Sequence, residues 1–161
     1  MIFVRLILVG VMQSRALFLI LVISFLSGCV SAAGADPNAS MSLHTPDGDV
    51  QQVNIDEIWR VRESSGSDEP IDARVIDYAF ERLYVKDSLD SVINNIRSQR
   101  KIEKFTSPSG APIYIVAERV IGIARALPYQ HHQNSKSLII AREGQQQVQE
   151  SRDAVRETLG K

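Results

Sequence analysis

The sequence predicts an α+β body built from two tandem β-rich units, each closed by a C-terminal helix and packed together as one. Three observations predict it. Turn and apolar positions recur at a fixed offset through the 161-residue chain. Short apolar runs separated by turn residues precede each recurrence of an amphipathic stretch, an order that reads as strands followed by a helix. A unit of about 60 residues is marginal when it folds alone, and no cysteine pair is present to staple it.

The repeat is read before its elements. Leu43-His44-Thr45-Pro46-Asp47-Gly48 answers to Thr106-Ser107-Pro108-Ser109-Gly110, with Pro46 on Pro108 and Gly48 on Gly110. The same offset sets Val53 against Ile115, Ile58 against Val120 and Val61 against Ile123. Further along, one more residue intervenes: Val75 falls on Leu138, Ile76 on Ile139, Val85 on Val148, and Asp87-Ser88 on Glu150-Ser151. One residue inserted in the middle loop accounts for the change. The units are placed at 41–101 and 102–161.

In each unit a short strand, Ser42 to Thr45 or Lys104 to Thr106, runs into a Pro-x-Gly turn, because proline presets φ and glycine accepts positive φ. A second strand follows at Val50 to Val53 or Ile113 to Val116, and a third at Ile58 to Val61 or Val120 to Ile123. Polar loops at 63–69 and 128–136 separate these from the apolar runs Val75 to Phe80 and Leu138 to Ala141. Arg142-Glu143-Gly144 reads as a hairpin turn into Gln145 to Gln149, whereas the first unit lacks the glycine. Asp87 or Ser88, and Glu150 or Ser151, suit helix N-caps. Leu89, Val92, Ile93 and Ile96 then form one apolar stripe. The second helix has mainly Val155 and Leu159 to pack, with Gly160-Lys161 as a fraying end.

Ahead of the repeats, Met12-Gln13-Ser14-Arg15 and the apolar run Ala16 to Leu26 have the order of a secretory signal: basic start, apolar core, small-residue cleavage site. Met1 to Val11 is surplus to that pattern, as if translation began at Met12. Leu26-Ser27-Gly28-Cys29 contains the sole cysteine and resembles the lipobox of bacterial lipoproteins. The resemblance implies diacylglyceryl transfer to Cys29, cleavage after Gly28 and acylation of the new N-terminus. Residues 1–28 are then a signal peptide, and 29–40 a lipidated start with a flexible Ser/Ala/Gly/Pro linker. With Val30 rather than aspartate next, the destination in a Gram-negative host is the outer membrane, facing the periplasm. Two other readings stand beside it. Ala33-Gly34-Ala35 fits ordinary signal peptidase, and an uncleaved span needs about 20 apolar residues, which Gln13-Ser14-Arg15 interrupts.

Losing Arg5 and Arg15 lowers the cationic count from 18 to about 16 against 19 acidic residues, so the processed chain carries about −3. That balance lacks the basic footprint of a nucleic-acid binder, and nucleic acid is not expected as a partner. Pro108 to Ile123 and Leu138 to Leu159, with an echo at Pro46 to Val61 and Val75 to Ile96, resemble the small flagellar proteins of the FlbD type. They are similar in outline to the DNA-binding domain of LytTR response regulators. The matching positions are core and cap positions, so the resemblance implies shape and transfers no functional residue.

No set of residues reads as catalytic. His131-His132 is the strongest candidate for metal or hydrolytic chemistry, but a structural zinc site needs four ligands and a catalytic one three. His44 stands alone. Ser88 and Ser151 lack an activating base nearby in sequence and are explained as caps. Arg97, Arg100, Lys101 and Lys104 read as a helix end and connector, Trp59 and Tyr114 as core or sheet-face residues, and Gln145-Gln146-Gln147 as a solvent-facing strand. The expectation is a non-catalytic envelope lipoprotein without cofactor or metal. It is held to the membrane through Cys29 and binds another envelope protein or polymer. The rival is an envelope hydrolase or metal-binding enzyme using His131 and His132.

Overall fold

The computed structural model describes residues 39–161; the expected signal segment 1–28, Cys29 and the linker up to residue 38 lie outside the described residues. Among the described residues the chain is mostly β-strand with two helices, the β-rich form of an α+β fold. The strands of the first half are β1 (Ser40–His44), β2 (Val50–Asn54), β3 (Ile58–Glu63), β4 (Arg74–Tyr78) and β5 (Glu81–Val85), closed by α1 (Leu89–Arg97). The second half runs β6 (Ile102–Thr106), β7 (Pro112–Val116), β8 (Val120–Arg125), β9 (Ser137–Ala141), β10 (Gln145–Val148) and α2 (Arg152–Leu159). A 3-10 turn joins β2 to β3 at Ile55–Glu57 and β7 to β8 at Ala117–Arg119. The order of elements in the two halves is the same.

Local hydrogen bonding repeats with the order. Gly48 at φ 95° donates its N–H to the Thr45 carbonyl, and Gly110 at φ 93° donates to Ser107; only glycine holds that conformation cheaply. The Asp87 carboxylate accepts the His44 N–H, and the Glu150 carboxylate accepts that of Thr106. One residue later Ser88 and Ser151 cap their helices, accepting the N–H of Ser91 and of Ala154 at 3.2 Å. The shift in offset falls in the loops 64–73 and 126–136. These are closed alike by Ser64 N–H to Ala73 carbonyl and Ala126 N–H to Lys136 carbonyl.

The strands form three antiparallel sheets, β1-β2, β5-β4-β3-β7-β6 and β10-β9-β8. The five-stranded sheet takes β3 to β5 from the first half and β6 and β7 from the second, and β3 meets β7 through Arg60 on Ile115, Val61 on Tyr114 and Arg62 on Ile113. Because side chains alternate across a strand, this register sorts the two faces. Leu83, Ile76 and Val61 face a first core closed by β1, β2 and α1, where Leu43, Val53, Val92 and Ile96 are buried. Phe105, Ile113 and Ile115 face a second core with β8 to β10 and α2, where Ile139, Val148, Val155 and Leu159 are buried. Each core borrows across the halves: Ile102 and Val116 enter the first, Trp59 the second. A β-carbon at Gly144 would come within 3.3 Å of the Trp59 ring, so the glycine makes room for the loan.

Several boundaries differ from expectation for identifiable reasons. The run Val75 to Phe80 ends as a strand at Tyr78, because Ala79 and Phe80 form a two-residue hairpin turn with φ of 41° and 67°. Tight hairpins favour positive φ at both central residues, at a cost of about 1–2 kcal/mol per non-glycine residue. The turn leaves Phe80 exposed at its tip. The second helix does not simply fray, since Gly160 at φ 72° donates its N–H to the Arg156 and Glu157 carbonyls. Strand β1 takes in Ser40 at the end of the segment read as linker, and the Ala39 carbonyl accepts the Ile55 N–H. Gln146 and Gln147 are half-buried and hydrogen-bonded, so β10 is not a plain solvent-facing strand.

Glu69 orders the loop after β3. Its carboxylate accepts both Arg62 Nη groups, at 2.8 and 2.5 Å, and the N–H groups of Ser65 and Gly66, at 2.8 and 3.2 Å. The Arg62 hydrogen bond, helped by the two backbone donors and opposed by burial, holds its pKa at about 2 against an ordinary 4.5. A depressed carboxylate pKa stabilises the fold fully above the unfolded value, and the gain is lost as pH falls toward the folded one. The stability advantage of the native chain over Glu69→Gln, from denaturant titrations, should therefore be constant above pH 4.5 and shrink between about 4.5 and 2; parallel curves would refute the assignment. The shared cores make a second prediction. Residues 41–101 or 102–161 expressed alone should show no cooperative unfolding transition, and a sharp one from either half would count against mutual dependence.

Candidate functional site

The first half leaves polar residues on the sheet face that the second core covers only in part. In the register of the five strands, Arg82, Asp77 and Arg60 lie side by side across β5, β4 and β3, and Ile115 of β7 continues the row. Both oxygens of Asp77 are engaged, one by Arg60 Nε at 2.7 Å and the other by Arg82 Nε at 3.0 Å. Arg82 Nη1 stands 3.5 Å from Glu69, which carries Arg62. Three arginines and two carboxylates thus form one chain of ion pairs.

Burial sets the energetics of this chain. Arg60 stacks over the Trp59 ring, 4.5 Å from its centroid, and donates to the Gln146 side chain of β10. Desolvation pulls its pKa down, and the hydrogen bond to Asp77 works against that pull. The bond to Asp77 raises Arg82, which remains partly in water. Removing a carboxylate from such a set would leave buried guanidinium unpaired, a cost of roughly 3–5 kcal/mol. The cluster is committed to its own partners.

Beside it lies an open groove of about 440 Å³ between β3, the β6–β7 turn and β10. Arg60, Arg62 and Gln145 to Gln147 form one wall, and Ser107, Pro108 and Pro112 the other. Gln147 accepts from the His132 N–H at 2.8 Å and from the Ser135 hydroxyl at 2.7 Å. Gln149 donates to the Ser107 and Pro108 carbonyls, pinning the turn. The groove offers amide and hydroxyl groups along a proline wall, a surface that can hold a polar chain. A second depression of about 400 Å³ lies between the Ala79-Phe80 turn and the Glu143-Gly144 turn.

The residues singled out from the sequence do not converge here. His132 touches the groove rim, and its Nδ1 accepts the Asn134 N–H at 3.2 Å. His131 Nδ1 accepts the Leu127 N–H at 2.8 Å, so the adjacent imidazoles bond separate turns of one loop. His44 pairs with Asp87 at 3.0 Å, and Ser88 and Ser151 cap. Among the described residues no three His, Cys, Asp or Glu side chains are grouped closely enough to hold a metal ion. Arg100 pairs with Asp56, and Lys101 donates to the Thr158 carbonyl. Arg60, Arg62, Asp77 and Glu69 were missed, although Arg60-x-Arg62 on a strand and Asp77 within an apolar run carry the signal of a charged row on one sheet face.

No family model matches the chain, and no curated protein matches it. Among solved structures it is similar to the LytTr DNA-binding domain of a putative methyl-accepting/DNA response regulator from Bacillus cereus, at 15% identity. The match covers 76% of this chain and 98% of that one, with a TM-score of 0.47. That finding corrects one expectation. The exclusion of nucleic acid, drawn from a net charge near −3, is withdrawn beside a similar structure that is a DNA-binding domain. A net charge averages over the chain and does not report what any one face presents.

Proposed function

We propose that the chain is a bacterial envelope lipoprotein whose body, residues 39–161, is a non-catalytic interaction module. The observation that carries the proposal is Leu26-Ser27-Gly28-Cys29, placed directly at the end of the apolar run Ala16 to Leu26 and holding the sole cysteine. Lipidation at Cys29 with a second acyl group gives a firm hold on a bilayer, where one chain binds only reversibly. The body behind the tether derives from duplication of one β-rich unit. The recurrence of Pro-x-Gly turns, acid-Ser caps and loop closures at corresponding positions supports this origin.

A binding role is supported by how the polar groups are spent. The buried arginines and carboxylates beside the groove hold one another and the loop after β3, and the rim amides and hydroxyls are fixed in place by hydrogen bonds within the chain, so the groove meets a partner with a preset polar surface. An envelope protein or polymer lying in the groove between Pro108 and Gln145 to Gln147 fits that rim.

The tether is tested by the intact mass of the protein recovered from membranes, beside a Cys29→Ala variant. The expected outcome is acyl mass on a chain beginning at Cys29, with the variant leaving the membrane fraction. A lipid-free chain beginning near Asp36, or an unprocessed N-terminus, would overturn it.

A further inference from the structure

We infer that the β8 edge of one chain pairs antiparallel with the β2 edge of a second copy, setting Gly122, Ile123 and Ala124 opposite Val53, Gln52 and Gln51. The pairing is already present once inside the chain. There β3 of the first half joins β7 of the second, with Arg60, Val61 and Arg62 opposite Ile115, Tyr114 and Ile113. The counterpart of β3 is β8, and the counterpart of β7 is β2. Moving each position of that joint to the other half gives the proposed register residue for residue. Both counterpart edges are open among the described residues: β8 pairs with β9 alone and β2 with β1 alone. A head-to-tail contact would extend β10-β9-β8 by β2-β1 of the next copy, reproducing the order β5-β4-β3-β7-β6.

Three further features fit β8 to this partner. The strand keeps the irregularity of β3: its pairing with β9 shifts between Val120 and Gly122, as that of β3 with β4 shifts between Ile58 and Arg60. The residue thrown out by the shift differs in its surroundings. Trp59 is 4% exposed because the second half covers it, whereas its counterpart Ile121 is 63% exposed. Val61, inside the joint, is fully buried, and its counterpart Ile123 is only partly so.

Edge chemistry separates these two edges from those of the five-stranded sheet, as it does the uncharged edges of β1 and β10. Exposed edges are ordinarily blunted by charge, and the outer strands of the five-stranded sheet carry Glu81-Arg82 on β5 and Glu103-Lys104 on β6. β8 reads Val-Ile-Gly-Ile-Ala before its first charge at Arg125, and β2 reads Val-Gln-Gln-Val-Asn with none. Main-chain hydrogen bonds supply affinity in such strand addition, and the side chains fix the register. A contact between unlike edges is heterologous, so assembly continues past a dimer unless the rotation closes a ring.

The test uses the full chain carrying Cys29→Ser in mild detergent, so that it is independent of the tether. Ile123→Cys and Gln52→Cys are introduced on separate chains, and disulfide formation is followed under mild oxidation. A crosslink is expected when the two variants are mixed and not with either alone. In parallel, the mass of the chain without added cysteines should rise with concentration. Ile121→Lys, a change at an exposed position, should hold it at one chain. Crosslinks of equal yield within a single variant, a mass that stays at one chain throughout, or assembly unaffected by Ile121→Lys would each overturn the inference.

Discussion

The antiparallel joint of β3 with β7 is the constraint on which the rest of the molecule depends. It spans three residue pairs, yet it turns two small sheets into one of five strands and makes β3 the central strand of that sheet. A central strand is covered on both faces, and its alternation then decides which residues each core receives. Val61 goes to the first core, while Ile113 and Ile115 of β7 go to the second. A slip of one residue would exchange the faces of every side chain on one partner. Arg60 and Arg62 would then enter the first core, where Val85, Val92 and Ile96 offer no polar partner. The charged pair therefore protects the register, much as a buried polar group can fix the alignment of a coiled coil.

That protection explains why a buried ion cluster persists where apolar residues would pack as well. Buried pairs contribute little net stability after desolvation, but mispairing them is costly. Arg60 lies between Asp77 of β4 and Gln146 of β10, and Arg62 is held by Glu69 of the loop. In the native register each arginine has a partner waiting on a different element. The Trp59 ring beneath Arg60 enters the second core, so the same short stretch of β3 ties the first half to the second through both charge and apolar burial.

Much of the fold was legible in the sequence because repetition supplies a control that one unit cannot. Pro46 and Pro108, Gly48 and Gly110, Ser88 and Ser151 each check the other, and these local signals were read at the turns and caps that the structure contains. Two things were not legible. The Ala79-Phe80 turn lacks glycine or asparagine, so nothing in the residue types announced positive φ, and the strand was read two residues too long. The ion-pair cluster was missed because its charges come from β3, β4, β5 and a loop that meet only through sheet order. Periodicity reports the face of a strand but not its neighbour. For the same reason an overall charge could not decide what the arginine-bearing face contacts.

The halves are alike in order and unlike in what they expose, and that difference has a direction. Where β3 has Trp59, Arg60 and Arg62, β8 has Ile121, Gly122 and Ala124. The first set is suited to a joint made within one chain, where Asp77, Glu69 and Gln146 are supplied at fixed positions and the connection through residues 98–101 is short. Charges placed on β8 would have no such partners on β9, where Leu138, Ile139 and Ile140 occupy the facing positions. An apolar strand needs none, and the backbone alone can set its pairing. The repeated order of elements thus has one joint closed and specific, between β3 and β7, while the corresponding edges of β8 and β2 stay open among the described residues. The asymmetry lies in side chains on the face of the strand, while β3 and β8 share the same irregularity in their pairing.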